Sequence, residues 1–89
     1  MFIEREPNEV IFYTAGELIQ HTIIDGDKLT LRSRAGEDIL VRDVKVLGHD
    51  RYSGTIYGFE PSRAIEHAGL RLEQLVDFHE SNIFGVRRA

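Results

Sequence analysis

His79 is followed directly by Glu80, and that pair is how the zinc-protease signature H-E-x-x-H begins. The signature works because two histidines four residues apart project from one helical turn onto one zinc ion, with the glutamate as general base. In "DFHESNIFGV", residues 77–86, the place of the second histidine is taken by Ile83, and the stretch has strand and turn character. Both the ligand pair and the helix are missing. The plainer expectation is that this segment closes a small β-fold. Val76 and Phe78 then face the core, His79 lies at a strand end, and Ile83 and Phe84 fill the interior.

Other chemistry is as sparse. The four histidines, His21, His49, His67 and His79, show no recurrent ligand spacing. A metal site would need three of them to converge beside Asp25, Asp50, Asp77 or Glu80. Ser53, Ser62 and Ser81 do not sit in the Gly-flanked strand-to-helix turn of a nucleophile elbow. The carboxylate pairs Glu37-Asp38 and Asp25/Asp27 lie in turns, where acids are common. Gly54 and Gly58 fall within a strand and cannot cradle a phosphate. The chain has no cysteine, so a thiol nucleophile and thiolate ligands are excluded. The expectation is a protein that is not an enzyme and has no cofactor; metal-assisted hydrolysis through converging His and Asp is the alternative from that class.

The aromatics point to binding. "RYSGTIYGFE" carries Tyr52, Tyr57 and Phe59. Tyrosine pairs an apolar face with a polar tip, which suits recognition. Simple alternation places Tyr57 and Phe59 with Ser53 and Thr55, and Tyr52 with Gly54, Ile56 and Gly58. Tyr57 is thus the exposed candidate, and Tyr52 can equally pack inward with Ile56. The candidate contact residues are Tyr52, Tyr57, Arg51 and Arg42.

Net charge is −4, which argues against nonspecific nucleic-acid binding by phosphate neutralisation. Between Asp25 and Arg51, six basic residues are interleaved with six acids, the pattern of a mixed solvated surface. The expected partner is another protein. A reading from a different class is an acidic inhibitor (immunity, anti-defence or Rho-inhibitor-like) that blocks a basic surface on its target. Exposed edge strands leave homo-oligomerisation open.

The elements that position these residues are mostly strands. Eighty-nine residues make one domain, 1–89. No apolar run approaches the ~20 residues of a membrane helix. The N-terminus does not read as a secretory signal, so the cytoplasm is expected. "KLTLRSR" alternates with period 2, and Asp25-Gly26 before it is a strong hairpin signal, so 17–33 reads as a hairpin with "ELIQHTII" as its other arm. In "ILVRDVKVLG" the apolar parity changes around Arg42-Asp43, from Ile39 and Val41 to Val44 and Val46, which a β-bulge would produce. Two glycines in the next strand suggest a bend or close backbone approach. "EVIFYT" favours a strand, with Asn8 as cap of a short helix the alternative. Ser62, "RAIEHA" and Gly69 read as cap, body and stop of one short helix near 62–68. The expected fold is a small SH3-like or Sm-like barrel of five to seven short strands.

"VRDVKVLGHDRYSGTIYGFEPS" followed by "GLRLEQLVDFHESNIFGV" resembles small bacterial SH3-like barrel domains of unknown function. Their strand pair "VxVxxVxGxxYxGxIxxFEP" leads to "GLxxGxxVxFxxxxIF"; Glu73-Gln74 stands here for their usual Gly-Asp. The resemblance covers residues 41–86 and implies a fold, with no catalytic residues. "YTAGELIQHTIIDGDKLTLRS" is similar in rhythm to the start of Rof-type inhibitors of the transcription terminator Rho, which are acidic Sm-like proteins. "IQHT" here departs from their "CQHH".

Overall fold

The alternation in "KLTLR" is that of a strand with one face buried. Leu29 and Leu31 are 1% and 0% exposed, while Lys28, Thr30 and Arg32 face outward. The computed structural model describes residues 2–6, 12–13, 23 and 25–87. Its strands are β1 (Phe12–Tyr13), β2 (Lys28–Arg32), β3 (Asp38–Gly48), β4 (Arg51–Glu60), β5 (Glu66–His67), β6 (Leu70–Arg71), β7 (Leu75–His79) and β8 (Gly85–Arg87). One sheet has the order β1-β8-β2-β3-β4-β7, and β5-β6 form a separate small hairpin. The five strands from β8 to β7 pair antiparallel, and β1 adds parallel to β8.

Three irregularities bend the long β3–β4 pair. Arg42 opposes Thr55 and Lys45 opposes Ser53, so β3 carries one extra residue where the apolar parity changes. Asp43, at φ 52°, takes the left-handed backbone that this bulge requires. Val44 is thereby turned into the core. A second bulge lies on β4: Leu40 opposes Gly58 and Val41 opposes Ile56, so Tyr57 is the extra residue. This puts Ile56 and Phe59 on the same buried face, whereas simple alternation had placed Phe59 outward with Tyr57. A third shift near Leu47 twists the hairpin tip.

β7 and β8 stand at opposite ends of the antiparallel set, yet only residues 80–84 join them. Ile83, in that link, is 0% exposed and belongs to the same cluster as Phe78 and Val86. The N-terminal segment straps the seam. Phe2 bridges to Ser33, Arg5 N–H donates to Ser81 O at 2.8 Å, and Asn82 Nδ2 donates to Ile3 O at 3.3 Å. The Arg5 guanidinium pairs with the Glu80 carboxylate, whose side chain is 42% exposed. The Arg5 side chain is only 13% exposed and also donates to Glu80 O at 3.1 Å, so this pair and the buried Ile83 close the seam together.

Four expectations need correcting. The helix near 62–68 is absent, and no α-helix occurs among the described residues. Arg63, at φ 57°, turns the chain, and its N–H donates to Phe59 O. Ala68 and Gly69, at φ 51° and 84°, then make a two-residue hairpin turn between β5 and β6. The few residues between these turns are too short for a helix to nucleate. The hairpin over 17–33 fails as well, because β2 is already paired on both edges, by β3 and β8. Asp25-Gly26 is still a turn, but it docks on β3: Gly26 N–H donates to Val44 O, and Val46 N–H to Asp25 Oδ1, each at 2.9 Å. Most of the "ELIQHTII" arm lies outside the described residues. Phe84 is outward and half-exposed rather than core, and Val46 is 44% exposed. Finally, no ladder joins β7 to β8 among the described residues, so the sheet is not a closed barrel there. In β1, Phe12 and Tyr13 are extended, and the rest of "EVIFYT" lies outside the described residues.

Gly54 is where β4 comes closest to its neighbour. A methyl group there would press into Val41 Cγ1 and stand 3.1 Å from Arg42 O. Gly54→Ala is expected to destabilise the fold by about 1–3 kcal/mol through overpacking, measured as a lower urea midpoint at unchanged slope.

Candidate functional site

The outer face of the sheet carries a groove of about 460 Å³ that crosses four strands. Its floor is one ladder row. Thr30 opposes Gly85 on one side and Leu40 on the other, and Leu40 in turn opposes Gly58. The glycines at both ends leave this row low. Leu40 lies over Gly58, where a methyl group would come within 3.2 Å of Leu40 Cδ1.

Tall side chains wall the row on both sides. On one side Arg32 opposes Asp38 and Asp38 opposes Glu60, with Phe84 beside them. The Arg32 guanidinium lies 4.4 Å from the Phe84 ring centroid, and its Nε donates to Asp38 Oδ1 at 3.1 Å. On the other side stand Lys28 and Tyr57, with the Lys28 ammonium 5.7 Å from the tyrosine ring centroid. Tyr57 reaches this wall because it is the bulge residue of β4. Phe84 is held in place by its N–H, which donates to Thr30 O at 2.8 Å. Each cation over a ring contributes about 0.5–1 kcal/mol at an exposed site. The groove therefore presents apolar floor, aromatic flank and pre-placed charges of both signs, a combination that suits an extended chain with side chains.

Of the four candidate contact residues, the structure brings only Tyr57 to this groove. Tyr52 packs against the core, its ring stacked on Phe78 at 6.0 Å and 16°. Arg42 Nη2 donates to both carboxylate oxygens of Glu73 at 2.6 Å, and so pins the turn that leads into β7. Arg51 is exposed at the sheet's far end, opposite His79. Lys28, Arg32, Leu40 and Phe84 are the groove residues that sequence reasoning missed. The alternation of "KLTLR" already placed Lys28 and Arg32 together; what it lacked was which strands lie beside them.

The histidine chemistry resolves into turns. His79 N–H donates to Asn82 Oδ1 at 2.8 Å, and Glu80 N–H donates to Asp50 Oδ1 at 3.0 Å. His79 Nδ1 lies 3.7 Å from Asp50 Oδ2, both side chains well exposed. Among the described residues no three His, Asp or Glu side chains group as metal ligands. His21 lies outside the described residues.

Among the described residues, His67 makes the one contact with a hydrolase-like look. Its Nε2 is 3.0 Å from Ser33 Oγ, the reach between a nucleophile and its base. Ser33, however, is 4% exposed, and its hydroxyl also accepts the Glu37 N–H at 3.3 Å. The neighbouring Glu37 carboxylate accepts from Ser62 N–H at 3.2 Å and from the Ser62 hydroxyl. With the His67 ring tilted on Phe59 at 5.9 Å, this network ties the β5–β6 hairpin to the main sheet.

Comparison with protein-family models, with curated proteins and with solved structures gives no match to this chain. Among the described residues no helix is long and apolar enough to cross a membrane.

Ser33→Ala removes the tie to His67. The expected result is a loss of about 1 kcal/mol, with amide exchange in residues 66–71 accelerated more than in β2 or β3, read by hydrogen-exchange mass spectrometry. Equal acceleration throughout would mean that the hairpin does not depend on this contact.

Proposed function

We propose that the protein is a non-enzymatic binding module, an incompletely closed SH3-like barrel that docks an extended segment of a partner protein across the outer face of its sheet. The observation that carries this reading is the groove itself: a floor of Gly85, Thr30 and Leu40 between two walls of aromatics capped by cations. The five-strand antiparallel order, with its two ends linked through a 3₁₀ turn at Glu80–Asn82, supports the barrel form. It also agrees with the resemblance over residues 41–86.

A peptide fits the groove better than a nucleic acid does. Base stacking needs an open ring face, and Lys28 and Arg32 already cover Tyr57 and Phe84. On one wall Arg32 neutralises Asp38, and the remaining Glu60 would repel a backbone that carries a phosphate at every step. An apolar side chain, by contrast, can lie on Leu40 with the aromatics beside it. Interfaces draw most of their energy from a few such anchors, and Tyr57 is the anchor here.

The test is a random-heptapeptide selection against the folded protein, followed by NMR titration of the peptides recovered. The expected shifts fall on amides of β2, β3, β4 and β8 around the groove. Tyr57→Ala should keep its fold and lose about tenfold in affinity, equivalent to about 1.4 kcal/mol. Peptides that shift other surfaces, or that bind Tyr57→Ala unchanged, would rule the reading out.

A further inference from the structure

We infer that the segment taken by the groove is acidic, with a carboxylate side chain seated on Lys28 beside the Tyr57 ring. This deepens the docking reading and rests on it.

Four charged side chains line the groove: Lys28, Arg32, Asp38 and Glu60. Arg32 and Asp38 neutralise one another at 3.1 Å. Glu60 is exposed at the end of β4, where water solvates its charge. Lys28 is different. It is half-buried, its ammonium is held over Tyr57, and no carboxylate pairs with it among the described residues. A partly desolvated cation without a counter-charge is the position at which a ligand anion gains most.

Register sharpens the polarity. The row at the end away from Lys28 is Arg32, Asp38 and Glu60; Arg32 neutralises Asp38, and Glu60 leaves that end acidic by one charge. Lys28 and Arg32 are four residues apart on β2, about 13 Å along the strand. Net charge therefore runs from Lys28 at one end to the uncompensated Glu60 in the Arg32 row at the other, over roughly the length of four extended residues. A peptide with one acid at the Lys28 end meets this pattern. A polyanion of uniform charge meets attraction at one end and repulsion at the other.

The experiment selects random heptapeptides on the purified full chain, on Lys28→Glu, on Lys28→Met and on Leu40→Arg, each first checked for an unchanged melting curve. Lys28 and Leu40 face outward, and Lys28→Met keeps the apolar stem while removing the charge. On the unaltered protein, Asp and Glu are expected to be enriched at one peptide position. Lys28→Met should lose that enrichment, and Lys28→Glu should replace it with Lys and Arg. Acidic peptides should bind Lys28→Glu about tenfold more weakly, and Leu40→Arg should recover neither set. Peptides that need Leu40 but show no acidic preference, or one that Lys28→Glu leaves intact, would overturn the acidic partner and leave the docking reading standing. Peptides indifferent to Leu40→Arg would overturn the docking reading itself. A thymidine oligonucleotide whose binding depends on both Lys28 and Leu40 would overturn both.

Discussion

The two ends of the antiparallel sheet are neighbours in the chain, and the rest of the structure depends on that constraint. Laid flat, five strands would separate β7 from β8 by four spacings of about 4.8 Å, or about 19 Å. The link from His79 to Gly85 is shorter. Its 3₁₀ turn advances about 2 Å per residue, and its extended residues about 3.3 Å each, for about 16 Å in all. The sheet therefore has to curl, and a curled sheet has one inside. Leu31, Ile39, Val41, Ile56 and Ile83, all 0% exposed, fill it. The link contributes its own core residue, so the segment that forces the curvature also caps the interior.

Curvature needs places where the ladder can yield. The bulges at Asp43 and Tyr57 supply them, and each does a second thing. The first turns Val44 inward after two inward odd-numbered residues. The second sends Phe59 to the core and leaves Tyr57 outside. The aromatic wall of the groove is thus a by-product of the irregularity that bends β4. The groove floor has a related origin: Gly58 leaves room for Leu40 to lie across it, and Gly85 stands opposite Thr30 at the other end of the row.

The parts of this fold legible in the sequence were those with short-range causes. The period of "KLTLR", the parity change at Arg42-Asp43, the turn at Asp25-Gly26 and the turn character after His79 all follow from local backbone preference and one buried face. The misread parts had local signals that longer-range pairing overrode. "SRAIEHAG" has a helix cap, a helix body and a helix stop, yet left-handed turns at Arg63 and Ala68-Gly69 divide it. "IIDGDKLTL" has the letters of a hairpin, yet β8 takes the edge of β2 that the preceding arm would need. Phe84 reads as core by residue type, and it is the neighbouring Ile83 that goes inside.

The candidate site divides the same way. Sequence by itself determined that the chain is mostly β, that Lys28, Thr30 and Arg32 share a face, and that Tyr57 lies away from the core, because alternation along a strand depends only on that strand. Tertiary structure decided that Thr30, Leu40, Gly58 and Gly85 form one row, that Arg32 lies over Phe84 and Lys28 over Tyr57, and that Arg42, Arg51 and Tyr52 stand elsewhere. The reason is register. A groove across strands exists only once each strand has chosen its neighbour and its offset, and the bulge at Tyr57, unlike the one at Asp43, changes that offset by one residue with no parity change in the sequence to announce it.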